Sequence, residues 1–276
     1  MSHSPFFNIN GKLIRSDRAQ LPIQDLTFSR GYGAFESIRT YQKIPFRLEA
    51  HLQRLKQTAT LIHLKLPCSL AEIKKRVFKT LQTNSFPESL IKIYITGGIS
   101  SGFIPEKTGS VIIWIEPFKP FPVWQYQKGI SLYTTPLTRS FPEAKSTSYL
   151  SGVTATIEAR KKGFDEAVFV DNQNAILEGS TFNVFAIKNN QIITADKNIL
   201  IGITTQEVIK LIKKERLNLI RKPISFALLK NCSELFITSS NREIIPAIRV
   251  NQIKIGNGKP GPLTQRLHQL YQKLTG

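Results

Sequence analysis

Acidic residues are scarce in this sequence: 19 Asp and Glu stand against 38 Lys and Arg, giving a formal net charge of +19. An excess of that size can mark a nucleic-acid binder. Here, however, the cations are dispersed. Lys74-Lys75-Arg76, Arg160-Lys161-Lys162 and Lys213-Lys214 fall on the polar faces of predicted helices. There is no basic tail, and no interleaving of aromatic and basic residues of the kind that forms an RNA platform. The charge is read as attraction for anionic small molecules or as general basicity, and nucleic acid is not an expected partner. Cysteine is almost absent. Cys68 and Cys232 lie far apart in apolar settings and are expected to be buried thiols of a cytoplasmic protein, not a disulfide frame. His3, His51, His63 and His268 lack metal-ligand spacing, so no metal site is expected. No apolar run reaches membrane-spanning length, and Met-Ser-His-Ser-Pro-Phe-Phe lacks the basic-then-apolar order of a secretory signal.

What is present suits a globular chain long enough for one large or two moderate domains. Phe6–Ile9 and Lys12–Ile14 flank an Asn-Gly turn, a strong hairpin signal. Ala34–Tyr41 and Ile44–Arg47 flank a second turn. Leu48, Leu52, Leu55 and Ile62 predict a helix over 49–63, followed by another over 70–83. Strands are expected at 90–96 and 110–116, on either side of the glycine-rich loop Gly97–Gly102. Glu116-Pro-Phe-Lys-Pro-Phe-Pro122 reads as a linker, because three prolines cannot sit in a regular ladder. Beyond it, strands are expected at 130–134, 167–170, 175–178, 183–187, 192–195 and 234–238, with a hairpin near Asn251. Helices are expected over 146–162, with Leu150, Val153 and Ile157 as the apolar face, and over 204–216 and 262–274.

The chemistry points to an ordered set of groups. Lys145 lies in Phe-Pro-Glu-Ala-Lys-Ser-Thr-Ser-Tyr; Glu178 lies about thirty residues on, in Leu-Glu-Gly-Ser-Thr-Phe-Asn; Gly202-Ile-Thr then opens a helix. A lysine, a strand-borne carboxylate and a helix N-terminus together can hold pyridoxal phosphate. The amine condenses with the aldehyde, the carboxylate keeps the ring nitrogen protonated, and free N–H groups cradle the phosphate.

Several segments, in order, resemble the class IV aminotransferases, the fold type IV pyridoxal-phosphate enzymes. They are Arg30-Gly-Tyr-Gly-Ala-Phe-Glu36, Phe46-Arg-Leu-Glu-Ala-His-Leu-Gln-Arg54, Lys145-(x)3-Tyr149, Asp165-Glu-Ala, Glu178-Gly-Ser, Gly202-Ile-Thr204 and Thr238-Ser-Ser-Asn-Arg-Glu-Ile-Ile-Pro246. The resemblance implies an α+β, two-domain fold. Residues 1–118 would form a small α/β N-terminal domain, 119–124 an interdomain linker, and 125–276 a larger cofactor-binding domain with a β-barrel-like core flanked by helices. It makes Lys145 the catalytic lysine, and Arg54, Tyr149, Glu178, Ile203, Thr204 and Ser240 cofactor-binding residues. Tyr149, four residues past Lys145, is expected one helical turn away on the same face. His51 is expected to support Arg54.

Arg30, Phe35, Lys92 and Asn241 are the implied substrate-binding residues, with Arg30 and Lys92 as candidate cations for the α-carboxylate. Glu36 and the Arg242-Glu243 pair resemble transaminases more than the aminodeoxychorismate lyases. The implied reaction is amino transfer between a branched-chain-like or D-amino acid and a 2-oxo acid. The alternative is a lyase releasing pyruvate and 4-aminobenzoate. Phe35–Tyr41 and Phe46–Glu49 resemble branched-chain enzymes. Thr96–Pro105 and Thr194–Thr204 resemble some D-amino-acid transaminases, yet the first of these lacks the arginine and histidine that usually trap the carboxylate there. A homodimer is implied, with the Gly97–Gly102 loop completing a neighbour's pocket.

Overall fold

The computed structural model describes residues 4–276. His3 and the first residues of the N-terminal segment lie outside it. The chain divides into two compact units: residues 1–119 with 144–149, and residues 120–143 with 150–276.

The first unit contains β1 (Phe6–Ile9), β2 (Lys12–Arg15), α1 (Leu26–Arg30), β3 (Gly33–Tyr41), β4 (Ile44–Pro45), α2 (Leu48–Leu61), α3 (Leu70–Thr83), β5 (Ser89–Thr96) and β6 (Val111–Pro117). Its antiparallel sheet has the order β2-β1-β6-β5-β3-β4. Asn10 and Gly11 both take positive φ, as the tight turn between the first two strands requires. Strict alternation along β3, β5 and β6 sends Ile38, Ile91, Ile93, Ile113 and Ile115 to one face, where they pack with Leu52, Leu55, Ile73 and Val77 of α2 and α3. Ser69 caps α3 by accepting the Glu72 N–H. The opposite face is half-buried and carries Phe35, Tyr94, Ile112 and Trp114.

The second unit contains α4 (Val123–Lys128), β7 (Ile130–Thr135), α5 (Leu150–Lys161), β8 (Glu166–Val170), β9 (Ile176–Gly179), β10 (Asn183–Lys188), β11 (Gln191–Thr194), α6 (Ile203–Lys214), β12 (Asn218–Arg221), α7 (Phe226–Leu229), β13 (Glu234–Ser239), β14 (Glu243–Val250), β15 (Ile253–Lys254) and α8 (Pro262–Thr275). Nine strands form its sheet, and six of them close on themselves: the path β10-β13-β14-β7-β8-β9 returns to β10 through the Glu178–Asn183 pair. The barrel-like core implied by the resemblance is this ring. Leu132, Val168, Ile176, Val184, Ile237 and Ile245, one from each strand, belong to a single buried cluster.

The structure corrects several expectations. α5 starts at Leu150, not near 146, because Lys145–Thr147 runs extended along β3. Its expected apolar face is the exposed one, with Leu150, Val153 and Ile157 at 79%, 53% and 50% exposure. The buried positions are Gly152, Ala155 and Ala159. Small residues let the helix approach closely, and Ala155 and Ala159 pack with Phe164, Ala167 and Phe169. Cys232 is buried, whereas Cys68 is only half-buried. α1, α4, α7 and β12 have no counterpart in the sequence reading; each is six residues or shorter, and the helical pieces are too brief to show periodicity. Among the described residues no helix is long and apolar enough to cross a membrane, and no cluster of His, Cys, Asp or Glu could hold a metal.

Candidate active site

Lys145 is fixed through its backbone. Its N–H donates to Thr58 Oγ1 at 3.0 Å, its carbonyl accepts from Phe35 N–H at 3.0 Å, and Thr147 N–H donates to Gly33 O at 2.9 Å. With the Ala34–Ser146 bridge, these bonds make residues 145–147 a short added strand beside β3. The side chain is half-buried, and Nζ lies 4.5 Å from the centroid of the Phe35 ring. Tyr149 meets the same ring edge-on at 5.4 Å. The two residues thus converge, though not by helical spacing: 145–149 is not helical, and Phe35 is what they share.

Behind Phe35, on the core face, lies an ionised cluster. Arg54 on α2 grips Glu36 with two bonds, Nε to Oε1 at 2.8 Å and Nη2 to Oε2 at 2.7 Å. His51, one turn earlier on α2, places Nδ1 2.7 Å from Glu36 Oε2. All three side chains are buried. Burial alone would raise the Glu36 carboxyl. The charge and hydrogen bonds of Arg54, helped by His51, outweigh that and hold it at about 2. Burial pushes the His51 imidazole below its ordinary value, although Glu36 pulls the other way. His51 reaches Arg54 through Glu36, which both of them contact.

The two expected carboxylate cations have separate partners. Lys92 Nζ pairs with Glu116 Oε1 at 2.9 Å and lies 4.4 Å from the Trp114 ring centroid. Arg30 is exposed at the end of α1, with its guanidinium over Phe103 at 5.1 Å and Nη1 donating to Ser29 O.

In the second unit Glu178 is buried on β9, in the strand pair that closes the barrel. Oε1 pairs with Arg139 Nη2, and Oε2 accepts the Leu200 N–H at 3.1 Å. Across that closure, Asn183 organises the start of α6. Its Oδ1 accepts from Gly202 N–H at 2.9 Å and from Thr205 Oγ1 at 2.7 Å, while Nδ2 donates to Leu200 O at 2.8 Å. Thr205 Oγ1 also meets Thr238 Oγ1 at 2.7 Å. Ile203 and Thr204 open α6 and are buried, and no side chain caps the helix. Ser240 and Asn241 lie in the turn joining β13 to β14. Sequence reasoning passed over Arg139, Asn183, Thr205, Thr238 and Thr58. Asn183, Thr205 and Thr238 lie inside or beside quoted motifs. Arg139 and Thr58 carry no local signal, since only the fold brings them to Glu178 and Lys145.

Comparison with known proteins shows the family. Residues 33–250 match the class IV amino-transferase family, and the chain belongs to that family. It is 31% identical over 274 residues, 96% of this chain and 95% of the relative, to a Methanocaldococcus jannaschii protein provisionally named a branched-chain-amino-acid aminotransferase. It is 30% identical over 273 residues, 95% of this chain and 94% of the relative, to the D-alanine aminotransferase of Bacillus licheniformis. The crystal structure of the Escherichia coli branched-chain amino acid aminotransferase is similar with a TM-score of 0.93 at 27% identity, covering 99% of this chain and 95% of that one.

The family's cofactor is pyridoxal phosphate, and the residues present suit it. An amine faces an aromatic wall, a buried carboxylate is held by a guanidinium and a backbone N–H, and an uncapped helix N-terminus offers donors to an anion. Asn241 Oδ1 is buried without a hydrogen-bond partner, as a group awaiting a ligand would be.

Proposed function

We propose that the protein moves an amino group between an apolar amino acid, branched-chain-like or of D configuration, and a 2-oxo acid. The observation that carries this reading is the Lys145 amine, pinned through its backbone and resting 4.5 Å over the Phe35 ring with Tyr149 beside it. When bound, the coenzyme supplies the carbon that takes the amino group and the ring that absorbs carbanion charge. Lys145 Nζ would take the proton from the substrate Cα and deliver it to the coenzyme carbon that receives the amino group. Glu178 holds a proton at the ring nitrogen, with Arg139 fixing the carboxylate's orientation. Tyr149 hydrogen-bonds the ring oxygen. Arg54, the N–H groups of Ile203 and Thr204, the Thr204 hydroxyl and Ser240 hold the phosphate. Phe35 packs on the substrate, Asn241 bonds it, and Arg30 and Lys92 attract its carboxylate. We propose a homodimer as the working form; Phe103 and Ile104, both exposed beside the Gly97–Gly102 loop, are surface that such a form would cover.

A panel of L- and D-amino acids, followed by loss of the coenzyme's absorbance band, tests the reaction and its handedness. Borohydride reduction and peptide mapping should place the coenzyme on Lys145, and Lys145→Ala should lower turnover by roughly 10⁴-fold or more. Label on another lysine refutes the assignment. Pyruvate release without a 2-oxo acid acceptor would favour the lyase.

A further inference from the structure

Strand register in the first unit sets Phe35, Tyr94, Ile112 and Ile9 in one row across four strands, on the face opposite α2 and α3. The row starts at the ring beneath the Lys145 amine. Phe35 stacks on Tyr94 at 5.5 Å and 15°, and Tyr94 stacks on Trp114 at 6.5 Å and 26°. From Tyr94 onward the row floors a cavity of about 470 Å³, whose walls include Trp114, Phe7, Leu21 and Phe28. Asp25, the one carboxylate in the lining, is already occupied as the cap of α1.

We infer that this cavity is the side-chain subsite of the proposed amino-transfer site, and that within the apolar class it favours amino acids and 2-oxo acids bearing an aromatic side chain. The inference rests on the reading of Lys145 given above. Size admits an aryl group. A dry cavity of roughly 150 Å³ already takes benzene. Phe35 and Tyr94 are register partners on adjacent strands, about 4.8 Å apart, so the ring beneath Lys145 and the cavity floor are neighbours. Offset stacking of the rings gives an aryl group a surface matched in shape and quadrupole.

The test uses holoenzyme carrying Trp124→Phe, which leaves Trp114 as the sole tryptophan. It is titrated with 3-phenylpropanoate and with 4-methylpentanoate, the amine-free skeletons of an aromatic and a branched substrate. The aromatic acid should bind roughly tenfold more tightly and change Trp114 emission. Ile112→Phe, which narrows the floor, should erase that ratio and the matching ratio of kcat/KM for phenylalanine over leucine. Equal affinities with silent Trp114 emission overturn the inference. So does Trp114 emission that follows protein concentration instead of ligand, since a second copy then fills the cavity. If the aromatic acid binds in this way while no amino acid reacts, the amino-transfer reading fails and the aryl subsite stands. If leucine reacts well and Trp114 stays silent, the reverse holds.

Discussion

The two phosphate-binding groups proposed for this protein handle charge by opposite means. Arg54 is a full cation set into a dry core, and it is held there by a second buried ion, Glu36. The N-terminus of α6 presents partial charge only. It is shaped by an amide and two hydroxyls, from Asn183, Thr205 and Thr238, none of which ionises. The first arrangement ties an anion site to fold stability and to pH. The second ties it to hydrogen-bond geometry alone.

Glu36→Gln breaks the charged arrangement and should have the largest effect on stability. It leaves the Arg54 guanidinium buried without its counter-ion, a loss of about 3–5 kcal/mol, readable by urea unfolding. The variant should also change the acid limb. With its carboxyl held below the unfolded value, Glu36 stabilises the fold above pH 4.5, and that contribution is lost as pH falls from 4.5 toward about 2. His51 works in the same sense. Its imidazole is held below 6.5, so as pH falls past that value the unfolded chain takes up a proton that the folded chain resists, and stability drops. Removing Glu36 should flatten the limb below pH 4.5 and deepen the His51 limb, because the carboxylate that raised the imidazole is gone. An unchanged acid limb would show that the ion pair is not what the fold depends on.

Asn183→Ala sharpens the comparison from the neutral side. It strips partners from Gly202 N–H, Thr205 Oγ1 and the Leu200 carbonyl, for an expected loss of about 1–3 kcal/mol. Coenzyme affinity should weaken by roughly tenfold, while the difference from the parent stays constant between pH 4 and 8. A pH-dependent difference would mean that an ionising group shares the α6 terminus.

How far the sequence anticipates this structure also differs between regions. α3 and the core face of β5 and β6 were legible because each buries one stripe at regular spacing, 3.6 for the helix and two for the strands. α5 misled for a physical reason: its close approach to the sheet selects Gly and Ala, so the large apolar residues mark the outside. Among the candidate site residues, Lys145, Arg54 and Glu178 stand within recognisable motifs. The extended docking of 145–147 on β3, the Glu36–Arg54 grip and the Arg139–Glu178 pair depend on contacts between segments remote in sequence, and no local pattern records them. The closure of the barrel rests on a single strand pair, Glu178 with Asn183, with four residues between them along the chain.

The smallest expected effect concerns Arg30, which belongs to neither arrangement. Its guanidinium is exposed and rests on Phe103, so any charge it offers a substrate is screened by water. If it draws in the α-carboxylate, Arg30→Ala should raise KM by roughly fivefold for every amino acid, about 1 kcal/mol, with kcat and the coenzyme spectrum unchanged. The carboxylate is present in ground and transition states alike, so its loss falls on KM. If Arg30 instead only braces the Phe103 loop, KM per folded site stays level and stability falls by about 0.5–1 kcal/mol, the worth of an exposed cation–π contact. Arg30→Lys separates the cases further: it keeps the charge but loses the planar fork, so KM should recover in part while the packing on Phe103 does not. A level KM in both variants would leave Lys92 as the cation of the pair to examine, already engaged with Glu116 and Trp114 on the row of side chains beside the aromatic cavity.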